Sequence, residues 1–364
     1  MKSPIREAVR LARSAAGNVF PNPLVGAIVV RNGITIGSGC HLKAGDLHAE
    51  VGALRQARNV EGATLYVTLE PCAHEGRQPP CVNEIIQSKI KAVVIGALDP
   101  NPITSGRGLM ALRKAGIDVT VLNDPSSLEL IRDFKVWINS SFPYVALKLA
   151  SSIDGCVAGA PGERLHLTGR EWRARVQMLR YTHQAVLVGA GTVLIDDPHL
   201  TVEHPARAVP LRRLVVAGRR PLSPKANIFS PTADYLRTVV LFPESERSAD
   251  WVSRLGAVAE MVPCPGRDGV VDLSKGLQDV RERFGIVSII SEGGPTLAKK
   301  LFVDDLVETI FWAYAPQLLA SPTSVAAVNP ALGDLSGSRF SLKRVRKLGN
   351  DVSVEYWRDR VAHV

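Results

Sequence analysis

Residues 24–39, LVGAIVVRNGITIGSG, decide how the chain begins to fold. Two β-rich runs, Leu24–Val30 and Ile34–Gly39, flank Asn32-Gly33, a pair that accepts the positive φ of a tight turn and so predicts an antiparallel hairpin. Upstream, Ile5, Ala8, Val9 and Ala12 share one helical face over residues 5–16, Gly17-Asn18 ends that helix, and Pro21-Asn22-Pro23 forces an extended lead-in. Downstream, helical stretches near 48–58, 81–89 and 107–115 alternate with apolar runs Thr64–Leu69, Ala92–Ala97 and Ile117–Leu122. The alternation predicts a three-layer α/β unit with helices on both faces of a sheet.

The unit is expected to end near residue 143. There the amphipathic segment Ser127–Ile138 gives way to the polar stretch Asn139-Ser140-Ser141-Phe142-Pro143. Strand-like Tyr144–Leu149 opens a second α/β domain that continues through Ala185–Val188, Leu214–Val216, Val239–Phe242 and Val287–Ile290 to β-rich Phe311–Ala315 and Val352–Trp357. The Pro-rich patch 205–224 reads as a surface excursion. Two domains, 1–143 and 144–364, suit a chain of 364 residues, which is long for one core.

Hydrophobic residues make up 46% and charged ones 22%, as in a folded globular protein. No apolar run reaches the roughly 18 residues of a membrane span, and no leader pattern opens the chain, so a cytoplasmic protein with no membrane contact is expected. Five thinly spread cysteines argue against a disulfide framework. The net charge of +9 is shared out, with 16 basic against 12 acidic residues over 1–145 and 28 against 23 over 146–364. Such an even excess draws no nucleic-acid track, and 5% aromatic residues provide no stacking platform, so no nucleic-acid partner is expected.

His48-Ala49-Glu50 is followed 21 residues after Glu50 by Pro71-Cys72 and, after eight more residues, by Cys81. This is the pattern of zinc nucleobase deaminases, with a spacer of eight residues in place of two. Two thiolates and one imidazole leave tetrahedral zinc one open position for water, whose pKa the metal lowers to roughly 7. Glu50, two residues past the histidine, is placed to accept the water's proton and pass it to a departing amine. The alternative is a structural zinc clip closed by a fourth ligand from Cys40, His41, His74 or Glu50. Cys40, Cys156 and Cys264 lack partners at ligand spacing.

Pro21-Asn22-Pro23-Leu24-Val25-Gly26, His48-Ala49-Glu50, the run from Thr68 to Cys81 and Asp99-Pro100-Asn101-Pro102 together resemble the RibD family of bifunctional riboflavin-biosynthesis deaminase/reductases. The resemblance implies a cytidine-deaminase-like first domain and a small-molecule substrate, a pyrimidinone carrying a ribosylamino 5′-phosphate. Asn22, His41, His74 and Asn101 are implied to line the pocket, with Arg77 near the phosphate.

Lys148 to Gly155, Gly191 to Pro198 and Ser291 to Leu297 resemble the reductase half of the same family, which is similar to dihydrofolate reductase in fold. Gly293-Gly294-Pro295-Thr296 follows an apolar strand and opens a helix, an arrangement of bare amides that can cradle a pyrophosphate. The resemblance implies NADPH as cofactor, held by Ala150, Thr192, Asp196, Gly294, Pro295, Thr296 and Leu297. It makes Lys148 and Glu292 catalytic, with Glu292, Arg180 and Leu200 touching substrate. It also implies a homo-oligomer.

This half departs from the family where Glu163-Arg164-Leu165-His166-Leu167-Thr168 lacks a substrate serine and a stacking tryptophan, and where Glu203 replaces a substrate-side arginine. Ala217-Gly218 stands for an Asp-Ser pair, and Arg219-Arg220 follow as expected holders of the cofactor's 2′-phosphate. Two other readings remain: a deaminase whose reductase half is degenerate, and a nucleic-acid deaminase or RNA-binding zinc protein.

Overall fold

The computed structural model describes residues 3–75, 78–163, 165–202, 207, 209–231, 236–320, 323–327 and 340–359. The chain divides into two units, Met1–Ser140 and Ser141–Val364.

In the first unit, helix α1 (Pro4–Ser14) starts on a proline, whose missing amide costs nothing in a first turn, and buries Ile5, Ala8, Val9 and Ala12. Strands β1 (Gly26–Arg31) and β2 (Ile34–Cys40) form the expected hairpin, with Asn32 at φ 51° and Gly33 at φ 76°. There follow α2 (Ala49–Gln56), β3 (Thr64–Leu69), α3 (Cys81–Gln87), β4 (Ala92–Ala97), α4 (Arg107–Lys114) and β5 (Asp118–Val121). The sheet order is β2-β1-β3-β4-β5, antiparallel from β2 to β3 and parallel from β3 to β5.

Two cores make the unit three-layered. One packs Ala49, Ala53, Val82, Ile85 and Leu112 of α2, α3 and α4 on Leu65, Val67, Val93 and Ile95. The other packs Val9 and Ala12 of α1 with Leu69, Ala97, Leu130 and Ile131. Glycines let the helices close on the strands. A Cβ on Gly26 would stand 2.1 Å from the carbonyl oxygen of Ala8, and one on Gly39 would stand 2.3 Å from that of Ala49.

The segment 127–138 is two helices, α5 (Pro125–Leu130) and α6 (Arg132–Asn139), parted at Ile131 where φ is −107° and ψ 13°. Leu130 and Ile131, at the break, both enter the core. Pro21-Asn22-Pro23 lies at a turn rather than in an extended lead-in, with the Asn22 amide donating to the Val19 carbonyl at 2.9 Å.

The second unit runs β6 (Tyr144–Ser151), β7 (Cys156–Ala158), α7 (Arg170–Thr182), β8 (Ala185–Gly189), α8 (Ala190–Asp196), β9 (Arg212–Val216) and β10 (Val239–Pro243). It continues through α9 (Asp250–Gly256), β11 (Glu260–Cys264), β12 (Gly266–Arg267), β13 (Val270–Val271), α10 (Leu273–Phe284) and β14 (Ser288–Ser291). Helix α11 (Pro295–Val303), β15 (Val307–Tyr314), β16 (Val325–Ala326), β17 (Phe340–Leu348) and β18 (Asp351–Arg358) close it.

Among the described residues its main sheet has the order β11-β10-β9-β8-β14-β6-β15-β18-β17, parallel from β11 to β15 and antiparallel beyond. Parallel strands bury both faces, which is why they read as continuous apolar runs. The patch 205–224 is more than a surface excursion: it contains β9, which pairs with β8 and β10, and buries Leu211 and Leu222. Residues 205, 206 and 208 of that patch lie outside the described residues.

Candidate active sites

His48 stands in extended backbone at the start of α2, Cys72 lies beyond the end of β3, and Cys81 is the first residue of α3. The Val82 amide donates to the Cys72 carbonyl at 3.3 Å, and the Cys81 amide to the Cys72 sulfur at 3.3 Å, which folds the eight-residue spacer back on itself. His48 Nδ1 lies 3.0 Å from Cys81 Sγ and 3.6 Å from Cys72 Sγ. Among the described residues this is the one group of three or more His, Cys, Asp or Glu whose ligand atoms all lie within 4.8 Å of one another.

The electrostatics of the cluster call for a cation. The Cys72 thiol is pushed down to about 4, chiefly by the hydrogen bond from the Cys81 thiol, while that shared hydrogen bond and then burial push Cys81 up. Two sulfurs competing over one proton, with an imidazole nitrogen against both, form a soft donor set that fits zinc.

Glu50, only 4% exposed, is raised to about 7 by burial. It is not part of the three-ligand group. His41 is also buried, and both its nitrogens are engaged: Nδ1 donates to the Leu47 carbonyl at 3.2 Å, and Asn22 Nδ2 donates to Nε2 at 2.9 Å. Its ring meets that of His48 edge-on at 5.6 Å. These contacts remove His41 as a fourth ligand, and Cys40 and His74 fall outside the group as well. His74 is exposed, and Arg77 lies outside the described residues.

The motif reading passed over Glu70, which carries a buried carboxylate immediately before Pro71-Cys72. It accepts hydrogen bonds from the backbone amides of Asp99 (3.1 Å), Gly106 (2.9 Å) and Leu109 (3.1 Å). The available signal was an acid closing an otherwise apolar strand.

In the second unit Lys148 of β6, Arg180 of α7 and Glu292 after β14 meet. Arg180 grips the carboxylate with both arms, Nε to Oε1 at 2.5 Å and Nη2 to Oε2 at 2.9 Å, and Lys148 Nζ lies 3.7 Å from Oε2. Burial works to raise the Glu292 carboxyl, but Arg180 and Lys148 outweigh it and hold the group below its usual range. Arg180 Nη1 also donates to the Thr201 carbonyl at 3.0 Å, which brings neighbouring Leu200, at φ 52°, to the same place.

Thr192 and Asp196 are one turn apart on α8, and Ala150 sits on β6 opposite Ala313. Gly294 is the residue before α11, Pro295 its first residue, and Leu297 is buried behind them. A Cβ on Gly294 would meet nothing within 4 Å, so that backbone is open to a ligand.

The two arginines after β9 part company. Arg219 Nε pairs with Glu246 at 3.5 Å and crosses the bare backbone of Gly269, whereas Arg220 Nη1 comes within 3.6 Å of where a Gly191 side chain would begin. Ala217 is buried and Gly218 takes φ 57°, so this pair makes a turn. His166 is exposed, and Arg164 and Glu203 lie outside the described residues.

Residues 2–97 match the family described as the cytidine and deoxycytidylate deaminase zinc-binding region, and residues 143–354 match the RibD C-terminal domain. The riboflavin biosynthesis protein RibD of Aquifex aeolicus is 36% identical over 98% of this chain and 98% of its own length. That of Escherichia coli is 36% identical over 95% and 96%. The chain belongs to the RibD family. A solved Thermotoga maritima member, described as a diaminohydroxyphosphoribosylaminopyrimidine deaminase/5-amino-6-(5-phosphoribosylamino)uracil reductase, superposes with a TM-score of 0.84 at 33% identity, covering 98% of both chains. The family's fold class, a deaminase-like α/β domain followed by a reductase α/β domain, is that of the two units seen here.

Proposed function

We propose that this chain carries out two consecutive steps of riboflavin biosynthesis. Residues 1–143 hydrolytically deaminate 2,5-diamino-6-(5-phosphoribosylamino)pyrimidin-4-one, and residues 144–364 reduce the ribosyl chain to ribityl with NADPH. The observation that carries the reading is the His48, Cys72 and Cys81 cluster with buried Glu50 beside it, in a chain alike to the family over nearly its full length.

His48, Cys72 and Cys81 would hold zinc, which would supply a Lewis acid that makes water nucleophilic near neutral pH. Glu50 takes a proton from the attacking water as its oxygen bonds to the ring carbon, and returns it to the amine, which leaves as ammonia when its bond to that carbon breaks. Asn22 holds His41 neutral and oriented at the pocket wall. His74, Asn101 and Arg77 complete substrate binding.

In the second unit Ala150, Thr192, Asp196, Gly294, Pro295, Thr296 and Leu297 would hold NADPH, which would supply the hydride for the former anomeric carbon. Lys148 gives the proton taken up by the ring oxygen as the sugar opens, Glu292 orients Lys148, and Arg180 and Leu200 fix the substrate against Glu292. No helix among the described residues is long and apolar enough to cross a membrane, and all five cysteines are free, which supports a reducing, cytoplasmic setting. The homo-oligomer is inferred from the family and is tested by the particle's mass in solution.

Supplying the pyrimidinone phosphate to zinc-loaded protein tests the reading. Ammonia release without NADPH, followed by NADPH oxidation, is expected. Ammonia release with no NADPH oxidation leaves a deaminase alone, and no ammonia overturns the proposal.

A further inference from the structure

We infer that Glu70 is a positioning residue of the deamination: its buried carboxylate locks the loop bearing Asn101 to the strand that delivers Cys72. The inference rests on the deaminase reading above.

Glu70 directly follows β3, and its own amide donates to the Ala97 carbonyl at 2.9 Å, so its backbone is tied to the end of β4. Its side chain then collects three amides from two separate segments. One is Asp99, at the head of the loop after β4. The others, Gly106 and Leu109, belong to the first turn of α4, whose capping position is a glycine with no side chain to offer. Glu70 therefore caps α4 from another part of the chain, where a carboxylate also meets the favourable end of the helix dipole.

The grip extends to Asn101 through Asp99. Asp99 Oδ1 accepts the Asn101 amide at 2.9 Å, and Oδ2 accepts the Thr104 hydroxyl at 2.7 Å. Asn101 Oδ1 accepts the Ile103 amide at 3.0 Å, which commits the side-chain oxygen to the loop and leaves its amide N–H groups as donors toward substrate. On the other side, α4 abuts the metal strand so closely that a Cβ on Gly108 would stand 2.0 Å from the Pro71 carbonyl oxygen. One carboxylate thus sets the relative position of a metal ligand and a pocket residue that are 29 positions apart in sequence.

A buried carboxylate is costly to desolvate, and packing alone does not call for one. Glu70→Gln keeps the shape but turns an amino group toward amides that need an acceptor. A double-mutant cycle with Asn101→Ala in the full-length, zinc-loaded enzyme separates positioning from bulk stability, with ammonia release, zinc content and melting temperature measured for each form.

E70Q alone is expected to raise KM for the pyrimidinone phosphate about tenfold, the scale of one charge-assisted hydrogen bond, with kcat within about threefold and zinc content unchanged. In the N101A background it is expected to add less than about twofold, because the residue it positions is gone. An equal rise in KM in both backgrounds overturns the inference, as does loss of zinc in step with activity. Should E70Q not fold, E70D, which keeps the charge but falls short of the amides, goes through the same cycle with the same criteria. Absence of ammonia release by the unaltered enzyme instead overturns the deaminase reading itself.

Discussion

The first unit draws its ligand cluster from a short span, with His48 and Cys81 33 positions apart, whereas the ion triad of the second joins Arg180 to Glu292 across 112 positions. The cluster sets two sulfurs against one imidazole, and in the function proposed above a cation from outside completes it. The triad is held from within: two cations grip one carboxylate. A site completed by a ligand keeps its chemistry in a compact motif, while a site completed by the fold depends on the sheet order that brings β6 next to β14.

The sharpest way to break this contrast is Glu50→Gln. Because Glu50 is outside the three-ligand group, the variant is expected to keep zinc while ammonia release falls by about 10²–10⁴-fold, the range for losing a general acid-base. Metal analysis alongside the assay decides it, and departure of zinc with the activity would favour a structural clip.

Next in size is Glu292→Gln. Removing the negative partner leaves Arg180 and Lys148 facing each other at a buried place, which is expected to cost about 3 kcal/mol of the second unit's stability. NADPH oxidation should fall with it while ammonia release persists. Parallel loss of both activities would show that the two sites are not independent.

This difference in span also explains what was legible in the sequence. The hairpin, many of the strands and the grouping of His48, Cys72 and Cys81 were, because Asn32-Gly33, continuous apolar runs and a two-part motif are local signals. The triad members were reachable only by family resemblance, since nothing near Arg180 in sequence announces Glu292. Glu70 stayed hidden because its partners are backbone amides, which leave no mark on composition.

Strand β17 was also missed. Its residues Lys343, Arg344, Arg346 and Lys347 break the apolar pattern, and the register shift between Leu342 and Arg344 breaks the alternation that would have exposed it. The division between α5 and α6 depends on a single non-helical residue, Ile131, chosen by packing rather than by propensity.

A pH titration of stability sharpens the contrast from another side. His183 in the second unit is buried, donates through Nδ1 to the Leu179 carbonyl at 2.7 Å, and is lowered by burial to about 4 from an ordinary value of 6.5. Between those values the unfolded chain holds a proton that the folded one lacks. Stability is therefore full above about pH 6.5 and is lost as pH falls toward 4, by up to about 3 kcal/mol. Melting curves from pH 7 to pH 4 should show the decline, and His183→Gln should flatten it. An unchanged slope in the variant would assign the decline to other groups.

The smallest effect separates the arginines after β9. Both were expected to read the 2′-phosphate, but Arg219 already has a carboxylate partner in Glu246, while Arg220 points toward Gly191, beside Thr192 on α8. An arginine already paired with a carboxylate has less charge to offer a phosphate, and an exposed pair of this kind is itself worth under about 1 kcal/mol. Arg220→Ala is therefore expected to lower the preference for NADPH over NADH by about tenfold, one charge-assisted contact, with Arg219→Ala within about twofold of the unaltered enzyme. The ratio of kcat/KM for the two cofactors measures it. Equal effects from the two substitutions would mean that Arg219 leaves Glu246 when the cofactor binds, and the second site would then also be completed by its ligand, as the first is in the function proposed above.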